Sequence, residues 1–350
     1  MKHNIVILYA EFMGYNYAAF KAFNALCPDV EMHLVSWDRQ KLTPYEVPPI
    51  PNITYYNKSE FTVKTLKAFI ENIKPIAIYI VGRTDKDYLK VVKDFKNKIL
   101  IIGQSDEQYL GKWQQWVKIL FSNFFYHQYF DYMWVSGTRQ YEMAKRLGYK
   151  TEKILLNNYV YDTRFSKAGD ILSSMQQRAK TVYYVGRFAP EKGIFLLVQA
   201  FLMVIDKFDE WNLVLVGNGP LKSAIPTHPK IIIKDFLQPD ELLNQVSSIG
   251  IFCLPSIREP WGVVIQEFAA AGIPILCSNA CGAGVDIVRN GYNGYVFKTS
   301  DINDLAEKLQ TLFQLSDAKL KEMGENGRIM AQHIRPEIWA QTLKHIIYNQ

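Results

Sequence analysis

The chain has 350 residues, 49% apolar and 14% aromatic, which suits about two globular domains with their own cores and excludes a disordered chain. Its net charge of +6 is uneven: residues 1–170 hold 23 Lys and Arg against 17 Asp and Glu, whereas residues 171–350 hold 17 of each. Lys2 and His3 lead straight into a strand, so no signal peptide is expected, and no apolar run reaches the ~18 residues of a spanning helix. Cys27, Cys253, Cys277 and Cys281 form no Cys-x-x-Cys pair, as expected of reduced core thiols in a cytoplasmic protein.

In chain order, residues 4–9 read as a strand ending at Ala10-Glu11-Phe12-Met13-Gly14, followed by a helix over 17–26 and a strand over 31–35. A helix over 61–72 precedes a strand over 76–81, closed by Gly82-Arg83-Thr84-Asp85. The strand at 99–102 is closed by Gly103-Gln104-Ser105-Asp106-Glu107. A strand over 132–136, a helix over 139–147 and a strand over 154–156 complete this half, and the Ser- and Gln-rich stretch 169–179 reads as a linker. Alternating strands and helices predict a parallel sheet covered on both faces, with the loops at 10–15, 82–85 and 103–107 at strand carboxyl ends.

The second half carries the denser signals. Thr181-Val-Tyr-Tyr-Val-Gly186 reads as a buried strand, Arg187-Phe-Ala-Pro-Glu-Lys192-Gly193 as its loop, and 194–208 as a core-facing helix. Two cations between glycines on a strand-to-helix loop suit a diphosphate clamp; as bare surface charges they would simply be solvated. A strand over 213–217 ends in Gly217-Asn218-Gly219-Pro220. Residues 251–255 form another, followed by Glu259-Pro-Trp261-Gly262-Val263-Val264-Ile-Gln-Glu267, with a helix over 263–271 stopped by Gly272 and Pro274. The free N–H groups of that helix start lie between two carboxylates, which suits a ligand with phosphate in the middle and hydroxyls at both ends.

These three blocks, in this order and spacing, resemble the donor-site blocks of the retaining GT-B glycosyltransferases of glycosyltransferase family 4. The resemblance is strong over about residues 180–335 and weak before it. It implies an α/β chain of two Rossmann-like parallel-sheet domains facing across a cleft. The domains implied are 1–165 for the acceptor and 166–335 for the nucleotide sugar, with 336–350 crossing back as a helix to the first. Arg187 and Lys192 would neutralise the diphosphate, Glu267 would hold the ribose, and Glu259 the sugar hydroxyls, helped by amides near Trp261, Gly262, Val263 and Val264. Gly14, Gly217 and Asn218 would complete the donor site, with Phe236 and Leu237 at the base.

The resemblance further implies an α-linked product with retention, no metal and no other cofactor. Where family members often carry His, this chain has Asp106 with Glu107 beside it, so Asp106 stands as the candidate base or sugar-positioning group. Arg83 and Asp85 are further acceptor candidates. Asn158-Tyr-Val-Tyr-Asp162 lacks the glycine of the related family block. The partners implied are a nucleotide-sugar donor and a glycan or polyprenyl-diphosphate-linked acceptor, in surface polysaccharide or glycolipid assembly. A sugar-nucleotide epimerase or hydrolase, or a non-catalytic carbohydrate- or membrane-binding protein, would share the fold.

The basic excess of residues 1–170 attracts anions, including lipid headgroups at the cytoplasmic face of a membrane, or merely solubilises the chain. The run Trp113–Phe130 is aromatic and amphiphilic. Helical spacing aligns Trp116, Leu120 and Phe124 in a stripe that reads as core more readily than as a membrane face. Nothing resembles a nucleic-acid motif. Asp85-Lys-Asp87 is an Asp-x-Asp outside any metal-site context, Gly217-Asn-Gly219 lacks the third glycine of a dinucleotide fingerprint, and no phosphate-loop lysine motif is present.

Overall fold

The computed structural model describes residues 3–38 and 48–349. The chain divides into two units, Met1–Val160 with Pro336–Gln350, and Tyr161–Arg335. The first is built on β1 (His3–Leu8), β2 (Val30–Ser36), β3 (Ile53–Asn57), β4 (Ala77–Ile80), β5 (Leu100–Ser105), β6 (Tyr132–Val135) and β7 (Ile154–Leu155). All neighbours pair in parallel, in the order β3-β2-β1-β4-β5-β6-β7. β4 is buried along its length and β5 over all but its last residue, because helices cover both faces and a two-sided strand has no solvent side to spare for polar residues.

The covering helices are α1 (Gly14–Leu26), α2 (Val63–Ile73), α3 (Lys86–Phe95), α4 (Trp113–Leu120) and α5 (Thr138–Arg146). One core packs Phe20 and Phe23 of α1 against the sheet, the other Leu66, Tyr88, Val92 and Phe95. The last helix, Pro336–Tyr348, packs on α1 in this unit, and its Trp339 stacks on Trp134 of β6 with ring centroids 4.7 Å apart and planes at 14°.

In the second unit β8 (Thr181–Val185), β9 (Asn212–Val216), β10 (Ile231–Lys234), β11 (Ile251–Leu254), β12 (Ile275–Ser278) and β13 (Gly294–Phe297) form a parallel sheet in the order β10-β9-β8-β11-β12-β13. Its helices are α6 (Thr163–Ser174), α7 (Ile194–Val204), α8 (Pro239–Leu243), α9 (Val263–Ala270), α10 (Gly282–Ile287), α11 (Ile302–Phe313) and α12 (Asp317–Ala331), and the closing helix Pro336–Tyr348 is α13. Both sheets reverse strand order beside their first strand, between β1 and β4 and between β8 and β11. Such a switch point opens a crevice at the carboxyl ends of the strands.

Several sequence expectations need correction. The stretch 169–179 is not an open linker, because α6 runs through Ser174 and buries Phe165, Gly169 and Leu172. α1 starts at Gly14, three residues before the predicted start. The edge strand β3 and the charged helix α3 went unpredicted. The stripe Trp116, Leu120 and Phe124 is not core: Trp113 is 71% exposed, Leu120 77% and Phe124 65%, with Trp116, Val117 and Phe121 also exposed. α4 is short, ends at Leu120 and is followed by a π-helical turn over Asn123–His127. Among the described residues no helix is long and apolar enough to cross a membrane.

Candidate functional site

The switch point of the second unit gathers most of the residues singled out above. Arg187 and Lys192 lie on the loop between β8 and α7, and Glu259 on the loop between β11 and α9. Lys192 Nζ stands 2.5 Å from Glu259 Oε2, which also accepts from Ser256 Oγ at 3.2 Å. Glu259 is buried, so its charge needs these partners. Arg187 Nη2 pairs with Glu191 at 3.0 Å, and both of those side chains are about half exposed. The two cations of the clamp thus each hold a protein carboxylate here.

Glycines bring the neighbouring loops close. Gly217 follows β9 at φ +146, and a Cβ there would lie 2.0 Å from the Gly186 carbonyl oxygen. Asn218 Oδ1 accepts from the Gly219 N–H, and the Phe188 N–H donates to the Asn218 carbonyl, tying this loop to the one carrying Arg187. Gly262, at φ +96, caps α9, so the first amides of that helix, at Val263 and Val264, have no intrahelical acceptor. Trp261 is buried and its Nε1–H donates to Gln266 Oε1, so its indole supports the loop, not a ligand surface. Phe236 and Leu237 are half-buried on the loop after β10.

Glu267 sits on the second turn of α9, only partly covered from solvent yet crowded by protein atoms. Burial pushes its carboxyl up to about 8; Asp162 adds to the rise and Arg164 opposes it. Asp162 caps α6 and is held by Arg164, which also pairs with Asp240. Arg164 and Asp240 carry no local motif and were not singled out.

In the first unit, the ends of β4 and β5 open a cavity of about 420 Å³, lined by Arg83, Gln104, Ser105, Asp106, Lys118 and Tyr159 among others. It brings together Arg83, Asp106 and Glu107, but not Asp85. Asp85 caps α3, accepting from the Asp87 and Tyr88 amides, from Trp37 Nε1 at 2.8 Å and from Lys58 Nζ at 2.5 Å. Burial opposes its ionisation, but the Lys58 and Trp37 bonds outweigh it and leave its pKa below the usual range. Glu107 is also engaged: Lys118 Nζ at 2.6 Å and Tyr126 Oη at 2.9 Å donate to it, and together with Gln115 they overcome its desolvation and lower its pKa. Both carboxylates therefore brace the walls of the first unit. Gly14 opens α1 and is not among the residues lining this cavity, although the ring of its neighbour Tyr15 packs edge-on against Tyr159, which is.

Sequence reasoning missed Gln104, Asn16 and Tyr9. Met13 N–H donates to Asn16 Oδ1 at 3.0 Å, Asn16 Nδ2 donates to Tyr9 Oη at 2.9 Å, and Tyr9 Oη donates to Gln104 Oε1 at 2.6 Å. No periodicity marks a chain of bonds spanning 95 positions. Among the described residues, no group of three or more His, Cys, Asp or Glu is placed to hold a metal ion.

Residues 173–330 match the family described as Glycosyl transferases group 1. A capsular polysaccharide biosynthesis glycosyltransferase, CapM of Staphylococcus aureus, is 28% identical over 191 residues, covering 52% of this chain and 47% of that protein. A sulfoquinovosyl transferase of Arabidopsis thaliana is 32% identical over 158 residues, covering 43% and 30% respectively. The chain spans less than half the length of these curated relatives. Among solved structures, a sucrose-phosphate synthase from Thermosynechococcus elongatus superposes with a TM-score of 0.74 at 16% identity, over 99% of this chain and 98% of that one. HepE from Anabaena, in complex with UDP and glucose, superposes at 0.70 with 14% identity over 99% and 100%. The architecture is that of the GT-B glycosyltransferases: two Rossmann-like units on parallel sheets.

Proposed function

We propose that this protein is a glycosyltransferase that moves a sugar from a nucleotide-diphosphate sugar to a glycan or lipid-linked acceptor with retention of configuration, without a metal. The observation that carries this reading is the meeting of Lys192 and Glu259 at the β8/β11 switch point, beside the first turn of α9. A diphosphate entering there gains two cations and the helix-start amides, while Glu259, released by Lys192, accepts from sugar hydroxyls. In the transfer, the acceptor oxygen bonds to the anomeric carbon as the bond from that carbon to the diphosphate oxygen breaks. The acceptor proton passes to a base or to the departing diphosphate, whose growing charge Arg187 and Lys192 stabilise. Glu267 takes the ribose hydroxyls and the 236–237 loop the base.

In this reading the first unit holds the acceptor and rests on an anionic membrane through the exposed face of α4. Seven apolar side chains stand exposed between Leu110 and Phe124, in a segment that also carries Lys112 and Lys118. A donor screen with product analysis tests the assignment. Sugar transferred to an added acceptor supports it. Epimerised donor, or donor hydrolysed irrespective of acceptor, points to the alternative activities on the same fold, and no turnover with any donor points to a binding protein.

A further inference from the structure

We infer that the cavity of the first unit contains an oxyanion subsite, in which Arg83 and the side-chain amide of Gln104 hold a phosphate or carboxylate borne by the acceptor; this rests on the acceptor being held by that unit. Arg83 supplies the charge. Its guanidinium lies 4.9 Å from the ring centroids of both Phe125 and Tyr126, and its Nε is buried with no hydrogen-bond partner. Among the described residues it makes no ion pair, whereas the neighbouring cation Lys118 is already committed to Glu107. A ring-stacked guanidinium keeps its in-plane donors for a planar or tetrahedral oxyanion. The turn that aims it depends on Gly82, at φ +50, where a Cβ would lie 2.3 Å from the Gln104 carbonyl oxygen.

Gln104 supplies the second donor, because the structure turns its oxygen to Tyr9 and Tyr79. The relay begins at the Met13 backbone N–H, which can only donate, so Asn16 presents its oxygen there and its amide nitrogen to Tyr9. Tyr9, accepting from Asn16, gives its own proton to Gln104 Oε1, which also accepts from Tyr79 Oη at 3.2 Å. Both lone pairs of that oxygen are then used. The amide nitrogen of Gln104 is left as the group turned to the cavity, and it is a donor. That donor and the Arg83 guanidinium, which has no ion pair among the described residues, together favour an anionic oxygen, in a cavity whose Glu107 is neutralised by Lys118 and whose other lining carboxylate is Asp106.

The test compares the full-length wild type with Arg83→Met, Gln104→Glu and Asn16→Asp, each first shown to melt cooperatively. Calorimetric titration with inorganic phosphate is one arm. Sedimentation with phosphatidylcholine vesicles, with and without a polyprenyl phosphate, is the other. Removing the charge-assisted contact at Arg83 is expected to weaken oxyanion binding by about tenfold or more. Gln104→Glu keeps the oxygen that Tyr9 and Tyr79 need but replaces the donor with a carboxylate, and should weaken binding at least as much. Asn16→Asp still accepts from Met13 but cannot donate to Tyr9, which frees the Gln104 amide to turn and should give a smaller loss.

Arg83-dependent binding in the phosphate arm alone identifies a soluble phosphate-bearing acceptor. Arg83-dependent binding to the polyprenyl phosphate vesicles identifies a lipid-linked one. Wild-type binding retained in both Arg83→Met and Gln104→Glu, or no oxyanion binding by the wild type in either arm, overturns the subsite. UDP and GDP are titrated into the wild type in parallel: if neither binds, the transferase reading fails while the oxyanion result stands on its own.

Discussion

Lys192 Nζ lies 2.5 Å from Glu259 Oε2, so a cation from the loop after β8 and a carboxylate from the loop after β11 neutralise each other in a buried position. Removing one partner strands the other. Lys192→Met should cost about 3 kcal/mol of stability, since an uncompensated buried carboxylate remains. Adding Glu259→Gln should recover most of that loss, whereas turnover should stay low in all three variants. Urea unfolding of the four proteins gives the coupling energy, and a value near zero contradicts the paired arrangement.

Arg187 behaves differently because it is half exposed and pairs with Glu191, four residues on, which is itself half exposed. Arg187→Ala should leave stability within about 0.5 kcal/mol of wild type while lowering turnover. Under the proposed role of Arg187 and Lys192 at a diphosphate, activity should also persist in a strong chelator. Loss of activity in EDTA, restored by manganese, would instead assign the leaving group to a metal.

Glu267 predicts a pH signature. Its folded-state pKa is raised to about 8 from an ordinary 4.5, so folding favours the protonated acid. Its stabilising contribution is complete below the ordinary value and is lost as pH climbs through about 8. Measured from pH 5 to pH 9, the Tm of the wild type should fall relative to that of Glu267→Gln, with the variant the more stable at the alkaline end. Parallel curves would show that the carboxyl ionises freely in the native state.

The exposed face of α4 separates two measurements that a core residue would couple. Trp113→Ala and Leu120→Ala should change stability by under about 0.5 kcal/mol, against about 3–5 kcal/mol for the fully buried Trp134→Ala. Both surface variants should bind less to anionic vesicles, and wild-type binding should weaken as salt shortens the screening length to below about 10 Å. Unchanged sedimentation of the two variants would remove α4 from the membrane contact.

The stretches at 186–193 and 259–267 were legible as strand-to-helix connections because their glycines, cations and carboxylates fall within about ten residues, the reach of a local motif. The parallel sheets were legible from alternating units. The edge strand β3 was not: it is five residues long, follows Pro51-Asn52 and is only partly buried, so its identity comes from pairing with β2. The partners of Asp85 and Glu107, namely Trp37, Lys58, Lys118 and Tyr126, were not legible because they lie 11 to 48 positions away. The stripe of α4 looked like core because spacing reveals that a helix has an apolar face, not what covers it.

The Trp134–Trp339 stack joins a strand made before residues 161–335 to a helix made after them. Residues 161–335, a complete unit with its own sheet, leave the ribosome between them. The first unit therefore waits, with the α1 surface that α13 will cover still open to solvent, while the second already has its whole sequence in hand. The usual amino-to-carboxyl order of domain folding during translation is reversed. Released chains truncated after Arg335 should hold a protease-resistant second unit behind a protease-sensitive first one.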